Sequence, residues 1–185
     1  MDLPGAGSVR GDDTFYDTYL APLETRMLRT AWRITRDPDR ARDALQDAMA
    51  RIWTHRKRVR AHPNPGALVL RIAIHAAIDV LRRERRRRRA EGSAAASSWR
   101  AIAPAAAAEQ REARAMVLEA VARLPRKQAV AVTLRVLEEQ PYGTIAAALG
   151  CAEATARVHV LRAREKLRHL LRALAPVGRA AGGEP

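Results

Sequence analysis

Seven arginines occupy the eight positions from Arg82 to Arg89. Guanidinium groups this dense on one helix repel one another unless phosphates neutralise them, so the chemistry they point to is the holding of a polyanion. A solvated helix end has the same composition, and the run needs context before it carries that meaning. A second set supplies some. At helical spacing, Thr155, Val158, His159, Arg162 and Lys166 share one face, with Arg157, Arg164 and Arg168 on its flank. Forked guanidinia suit guanine edges and phosphate oxygens alike. A third set, Asp43, Gln46, Asp47, Met49 and Trp53, puts carboxylates and an amide among apolar groups, a composition suited to docking another protein. The acidic first half of an ordinary surface helix gives the same pattern.

Covalent and metal chemistry find no comparable grouping. His55, His62, His75, His159 and His169 form no ligand pair with cysteine or carboxylate at metal spacing. There is no glycine loop to cradle a phosphate and no nucleophile elbow. The adjacent Glu138 and Glu139 fall in a turn, and Cys151 reads as a small packing residue. The expectation is a chain with no catalytic residue, no metal and no cofactor.

The elements that must carry these groups are helices. Hydrophobic residues make up 48% of the 185 and charged residues 29%, a globular balance, while aromatics are only 4%. Ala, Leu, Val and Ile therefore supply the apolar mass, and no period-two pattern appears. Lys and Arg total 34 against 20 Asp and Glu, a net +14, and only three of the 34 are lysine. A small chain this basic meets nucleic acid first and an anionic membrane surface second. The single cysteine excludes a disulfide framework and fits a reducing cytosol. No run of about 18 apolar residues predicts a membrane span, and the N-terminal stretch lacks the apolar core of a signal peptide.

Along the chain, residues 1–13 read as a disordered tail. Phe15, Tyr19, Leu23, Met27, Ala31 and Ile34 step at helical spacing, with Pro22 predicting a kink or a new start. Asp37-Pro38-Asp39 breaks that helix and caps the next, which is predicted to run to about Arg58. His62–Gly66 is a loop, and a third helix is predicted from about Ala67, with Leu68, Ile72, Ala76 and Val80 on its buried side. Residues 90–108 read as a linker, with Trp99 and Ile102 its only bulky apolar groups. The second helical block covers 109–174, followed by a disordered tail over 175–185. Pro125 is predicted at the first position of a helix. A short helix over Tyr142–Leu149, a turn at Gly150, and a long basic helix over 153–174 form a helix-turn-helix signature. In that last helix Val160, Ala163, Leu167, Leu170 and Leu174 make the buried stripe. The fold class predicted is all-α, two small helical domains joined by a flexible linker.

At this point the sequence resembles the extracytoplasmic-function sigma factors, the two-domain class of RNA polymerase sigma subunits in the sigma-70 superfamily. RITRDPDRARDALQDAMARIWTHR is similar to the family's Asp-x-x-Gln-Asp/Glu-x-Phe segment ending in Trp, with Met49 in place of Phe. The resemblance implies that Asp43, Gln46, Asp47, Met49 and Trp53 grip the clamp helices of the polymerase β′ subunit. NPGALVLRIAIHAAIDVLRRERRRR resembles the segment that captures and melts the minus-ten element, implying roles there for Asn64, Arg71, His75, Asp79, Arg82 and Arg83. LPRKQAVAVTLRVLEEQPYGTIAAALG resembles the start of sigma region four, and CAEATARVHVLRAREKLR its helix for the minus-thirty-five element. The implied contacts are Thr155, Arg157, Val158, His159, Leu161, Arg162, Arg164, Lys166 and Arg168. Implied partners are core RNA polymerase (the β′ clamp helices and β flap), double-stranded promoter DNA, the melted single strand, and an anti-sigma factor. The implied location is cytoplasmic, on the nucleoid when active and at the membrane when an anti-sigma factor holds it there.

The departures fall on base-handling positions. Leu68 and Leu70 stand where the family has Trp and Tyr, and His75 stands where it has Asn. Val158 and His159 replace Ser and Arg. These changes open two other readings. One is a sigma mimic that occupies an anti-sigma factor; the retained arginines oppose it, since a mimic has no phosphates to neutralise. The other is an autonomous helix-turn-helix regulator, which would have no use for the Asp43, Gln46 and Asp47 surface.

Overall fold

A computed structural model of the chain describes residues 14–90 and 105–174, and every regular element among them is a helix. A π-helical turn, Tyr16–Leu20, leads into α1 (Ala21–Thr35), α2 (Pro38–Thr54), the short α3 (Arg56–Arg60) and α4 (Pro65–Ala90). The second group is α5 (Ala105–Arg123), α6 (Arg126–Val136), α7 (Tyr142–Leu149) and α8 (Glu153–Leu174). The two tails and most of the segment read as a linker, including Trp99 and Ile102, lie outside the described residues. None of the described helices is long and apolar enough to cross a membrane.

Proline, Asx residues and one glycine set most of the boundaries. Pro22 sits in the first turn of α1, where its missing N–H costs nothing. Asp37 Oδ1 accepts the N–H groups of Asp39 and Arg40, each at 3.0 Å, and so caps α2. Asn64 Oδ1 does the same for α4, accepting from Ala67 N at 3.0 Å, with Pro65 as the first helical residue. Gly150, at φ +64°, closes α7 in the left-handed region where a Cβ would be strained.

Four boundaries differ from the sequence reading, the first being that of α4, which begins at Pro65, inside the expected His62–Gly66 loop and two residues before Ala67. The helix expected to reach Arg58 breaks at His55, just after Thr54, whose hydroxyl donates to the Ala50 carbonyl and competes with the helix ladder. Pro125 precedes α6 as its N-cap rather than opening it. Helix α5 starts at Ala105, inside the expected linker, because Ala105–Ala108 are four of the strongest helix formers.

Helix α4 is the shared element. It packs on α1 and α2 on one side and on α5, α6 and α7 on the other. That explains why its burial exceeds the predicted stripe. Leu68, Val69, Leu70, Ala73, Ile74, Ala76, Ala77, Ile78 and Val80 are all buried, and only Ile72 of the expected four is half-exposed. One continuous apolar cluster runs from Phe15 and Met27 through α4 to Leu134, Ile145 and Val160.

Candidate nucleic-acid interface

Helix α8 buries Ala156, Val160 and Ala163, with Leu167 and Leu170 partly covered. The opposite face leaves Thr155, Val158, Leu161, Arg162 and Lys166 exposed, and Arg164 and Arg168 beside them. Val158 and Leu161 are 40% and 57% exposed, so two apolar groups lie open among the cations. Among the described residues, Arg162, Arg164, Lys166 and Arg168 have no carboxylate partner. His159 is half-buried, and its Nδ1 has no partner. Burial, with Lys127 and Arg162 nearby, lowers its pKa. Arg157 differs from the rest of the set. It donates to Glu153 at 2.5 Å and stacks on Tyr142 at 4.3 Å, while Arg135 covers the same ring at 5.0 Å. It braces the start of α8 against α7, an i,i+4 pair by sequence and an aromatic contact that only the fold supplies.

The six residues for which the resemblance implies minus-ten contacts gather on α4 and its N-terminus, and four of them already bond to protein. Asn64 is the cap described above. Arg71 Nη1 donates to the Ala148 carbonyl at 2.6 Å. Arg82 reaches Ala122 O at 3.2 Å and Leu124 O at 2.7 Å. Asp79 lies among three guanidinia: Arg126 at 3.0 Å, Arg51 at 3.4 Å and Arg82 at 3.6 Å. Arg83 is exposed. Leu68 and Leu70, the departures from aromatic residues, are core residues at 2% exposure each, and neither reaches the surface.

His75 lines a cleft of about 220 Å³ with Arg51, His55, Arg58, Arg71 and the apolar Val59, Leu68 and Ile72. Its Nε2 is buried without a partner, as is Arg71 Nε, so this small cleft offers two polar atoms seeking one. Burial, and then Arg71, depress the His75 pKa to about 4 from 6.5, against the opposing pull of Asp79; Arg126 and Arg82 add to the depression. Below pH 6.5 the unfolded chain takes up a proton that the folded chain refuses until about pH 4. Stability is therefore complete above 6.5 and falls as pH drops through that window. Between pH 6.5 and 4.5 the wild-type chain should lose about 1–2 kcal/mol more than His75→Asn, allowing for the group's access to water. Urea denaturation at the two pH values measures this, and parallel losses would refute it.

On α2, Asp43 and Gln46 are exposed, and no described cation pairs with Asp43. Asp47 is half-buried and pairs with Arg51 at 2.8 Å. Met49 packs against the core from its edge. Trp53 is 37% exposed, edge-on to Phe15 at 5.8 Å and under Arg56 at 5.5 Å. The five therefore form a surface whose outer part is polar and whose rim is apolar. At the end of α4 the arginine run divides. Glu84 pairs with Arg88, Arg87 and, across the bundle, Arg40. Arg85 pairs with Glu119 of α5 at 2.8 Å. Arg83, Arg86 and Arg89 face solvent with no described carboxylate on them.

Sequence reasoning did not find Arg26, Thr30, Glu119, Arg126 or Glu138 as functional positions. All five join the two halves of the molecule, and their partners lie far off in sequence. Among the described residues no cluster of three or more His, Cys, Asp or Glu could hold a metal ion.

Comparison with known proteins bears on what these surfaces do. Residues 20–87 match the family model for sigma-70 region 2, and residues 114–167 match that for sigma-70 region 4. No curated protein matches the sequence. Among solved structures, the chain is similar to the sigma factor RpoE from Bartonella quintana, solved as a co-crystal with the anti-sigma factor NepR. Identity is 24%, the match covers 85% of this chain and 96% of that one, and the TM-score is 0.50. That likeness is one of fold.

Proposed function

This chain belongs to the sigma-70 family, and from that premise we propose that it is an alternative sigma factor of the extracytoplasmic-function class. It binds core RNA polymerase, recognises promoter DNA at two boxes, and lets the polymerase melt the duplex and begin transcription. It performs no covalent step itself and acts in the cytoplasm, where polymerase and DNA are. The observation that carries this reading is the pairing, in family order, of a region 2 match and a region 4 match with a cationic, solvent-exposed recognition helix in the second. Exposed Thr155, Arg162 and Lys166 on α8 suit a major-groove contact, with Arg164 and Arg168 placed for phosphates. The exposure of Asp43 and Gln46, with Met49 and Trp53 at their rim, supports docking on the β′ clamp helices of the polymerase. Region 4 would sit on the β flap, and an anti-sigma factor is the expected inhibitor.

The test is transcription in vitro with sigma-free core polymerase and fragmented source-genome DNA. Transcript starts that share two spaced upstream boxes support the reading and supply the consensus; core binding without starts points to impaired melting over residues 68–75 or a missing activator, and neither starts nor core binding overturns the reading in favour of a sigma mimic or an autonomous regulator. Leu68 and Leu70, core residues standing where the family has Trp and Tyr, are the observation on the mimic's side. Asp43→Ala with Gln46→Ala should weaken core binding by about tenfold or more. Both positions are exposed, so the melting temperature should hold. Unchanged core affinity in fluorescence anisotropy would remove the docking surface.

A further inference from the structure

The two halves of the molecule meet across α4, and the contact is made with the groups that DNA would need. Arg71 and Arg82 donate to Ala148 O, Ala122 O and Leu124 O. These carbonyls belong to the last turn of α7 and to the end of α5, where helices have no internal donors left and carry the negative end of their dipole. A phosphate oxygen offers the same guanidinia a full negative charge. Each N–H can serve the carbonyl or the phosphate, not both.

The far end of this contact is Glu138. Its carboxylate, 2% exposed, leaves its own half of the molecule and seats on α1, accepting from Arg26 Nε at 2.8 Å and Thr30 Oγ1 at 2.5 Å. Arg33 donates to the neighbouring Leu137 carbonyl. The turn that aims the carboxylate is held by its own backbone: Leu137 N to Thr133 O at 2.8 Å and Gln140 N to Leu134 O at 2.9 Å, with Glu139 left-handed at φ +52°. Of the other ionic links between the halves, Arg126 with Asp79 involves a largely exposed partner and holds less, while Arg85 with Glu119 is partly covered on both sides and ties α4 to α5 rather than to the turn.

We propose that the Leu137–Gln140 turn is an autoinhibitory latch: Glu138, seated on Arg26 and Thr30, keeps region 4 across α4 so that Arg71 and Arg82 bond to its carbonyls in place of the DNA backbone. The inference rests on the sigma-factor reading. The latch acts on one DNA surface only. The outer face of α8 is exposed in the closed form, so region 4 keeps its contact residues while region 2 has its own occupied. Binding of region 2 to a melted strand therefore requires the halves to part.

Glu138→Ala and Arg26→Ala break the latch from opposite sides in the full chain. Neither should prevent folding. Without the carboxylate, the single Thr30 hydroxyl proton turns to Arg26 O, 2.7 Å away, and the Arg26 side chain, 33% exposed, turns to water. Small-angle X-ray scattering should show a larger radius of gyration for both variants. Affinity for a random-sequence single-stranded DNA pool should rise about tenfold at low salt, as a buried charged hydrogen-bond pair is removed from the closed form. The log–log salt slope should steepen by about 1.4, two phosphates at about 0.7 each. Unchanged scattering in both variants overturns the latch. Enlarged variants that bind the pool with wild-type affinity and slope overturn this inference alone. Enlarged variants that bind no nucleic acid, like the wild type, overturn the sigma-factor reading and this inference with it.

Discussion

Replacing Ile74 by alanine should lower the unfolding free energy by about 2–5 kcal/mol. The side chain is 0% exposed at the middle of α4. Its neighbours along the helix, Ala73, Ala76 and Ala77, are buried too and have nothing to extend into a void. Collapse of the surroundings is what makes such a substitution cheap, and here α4 is gripped from both sides, by α1 and α2 and by α5, α6 and α7. The helix cannot shift toward one wall without opening a gap at the other. The cost should fall in the upper half of the range for that reason. Urea denaturation by far-UV circular dichroism gives the number. A second signature follows from α4 being shared. Trp32 and Trp53 lie in the first half of the molecule, so tryptophan fluorescence weights that half, while dichroism reports all the helices. If the halves unfold together, both midpoints move by the same amount. A loss under about 1 kcal/mol would mean that the site repacks, and α4 would then be less constrained than its contacts imply.

How much of this was legible beforehand depends on how local the cause is. Pro22, Asp37-Pro38 and Gly150 act through their own dihedrals and side-chain caps, and each marks a boundary in both sequence and structure, whereas Asn64-Pro65, read as part of a loop, starts α4 two residues earlier than expected. The face of α8 was legible for the same reason, since a 3.6-residue period separates Val160 and Ala163 from Arg162 and Lys166 without help from the rest of the fold. Helix α4 was misjudged. An amphipathic stripe of Leu68, Ile72, Ala76 and Val80 was expected, yet the stretch Ala67–Val80 contains only three polar residues, Arg71, His75 and Asp79. A helix apolar nearly all round is one covered on both sides, and that signal was present. The three exceptions recur every four residues, and two of them, Arg71 and Asp79, bond across the seam where the halves meet. Leu68 and Leu70 looked like lost base contacts, but tertiary packing makes them core. Glu138 gave no local sign, because its partners Arg26 and Thr30 are 112 and 108 residues away. Next to Glu139 it reads as turn polarity, and only the fold distinguishes the buried carboxylate from the exposed one.

The largest effect on DNA binding should come from three exposed arginines. Arg83, Arg86 and Arg89 recur every three residues at the end of α4, so they lie within one arc of its surface. The rest of the run is already matched: Arg82 and Arg85 by α5, Arg87 and Arg88 by Glu84. A count of seven cations therefore overstates what is available to phosphates, and the exposed three are the ones that require them. Replacing all three by glutamine should flatten the log–log salt slope for duplex DNA by about 2.7, at about 0.9 per phosphate. Between 50 and 200 mM salt that difference corresponds to roughly 40-fold in affinity. Stability should change little, or rise slightly, because like charges are removed from a solvated helix end. The salt dependence separates this from a base-reading defect. Arg162→Ala on α8 should cost about 1–3 kcal/mol on preferred sequences if it reads a base, with a much smaller change in slope. The triple variant should instead weaken all sequences alike. If its slope matches that of the wild type, the end of α4 does not touch the DNA backbone. The closed form would then have to reorient α4 on opening so that Arg71 and Arg82 alone meet the phosphates.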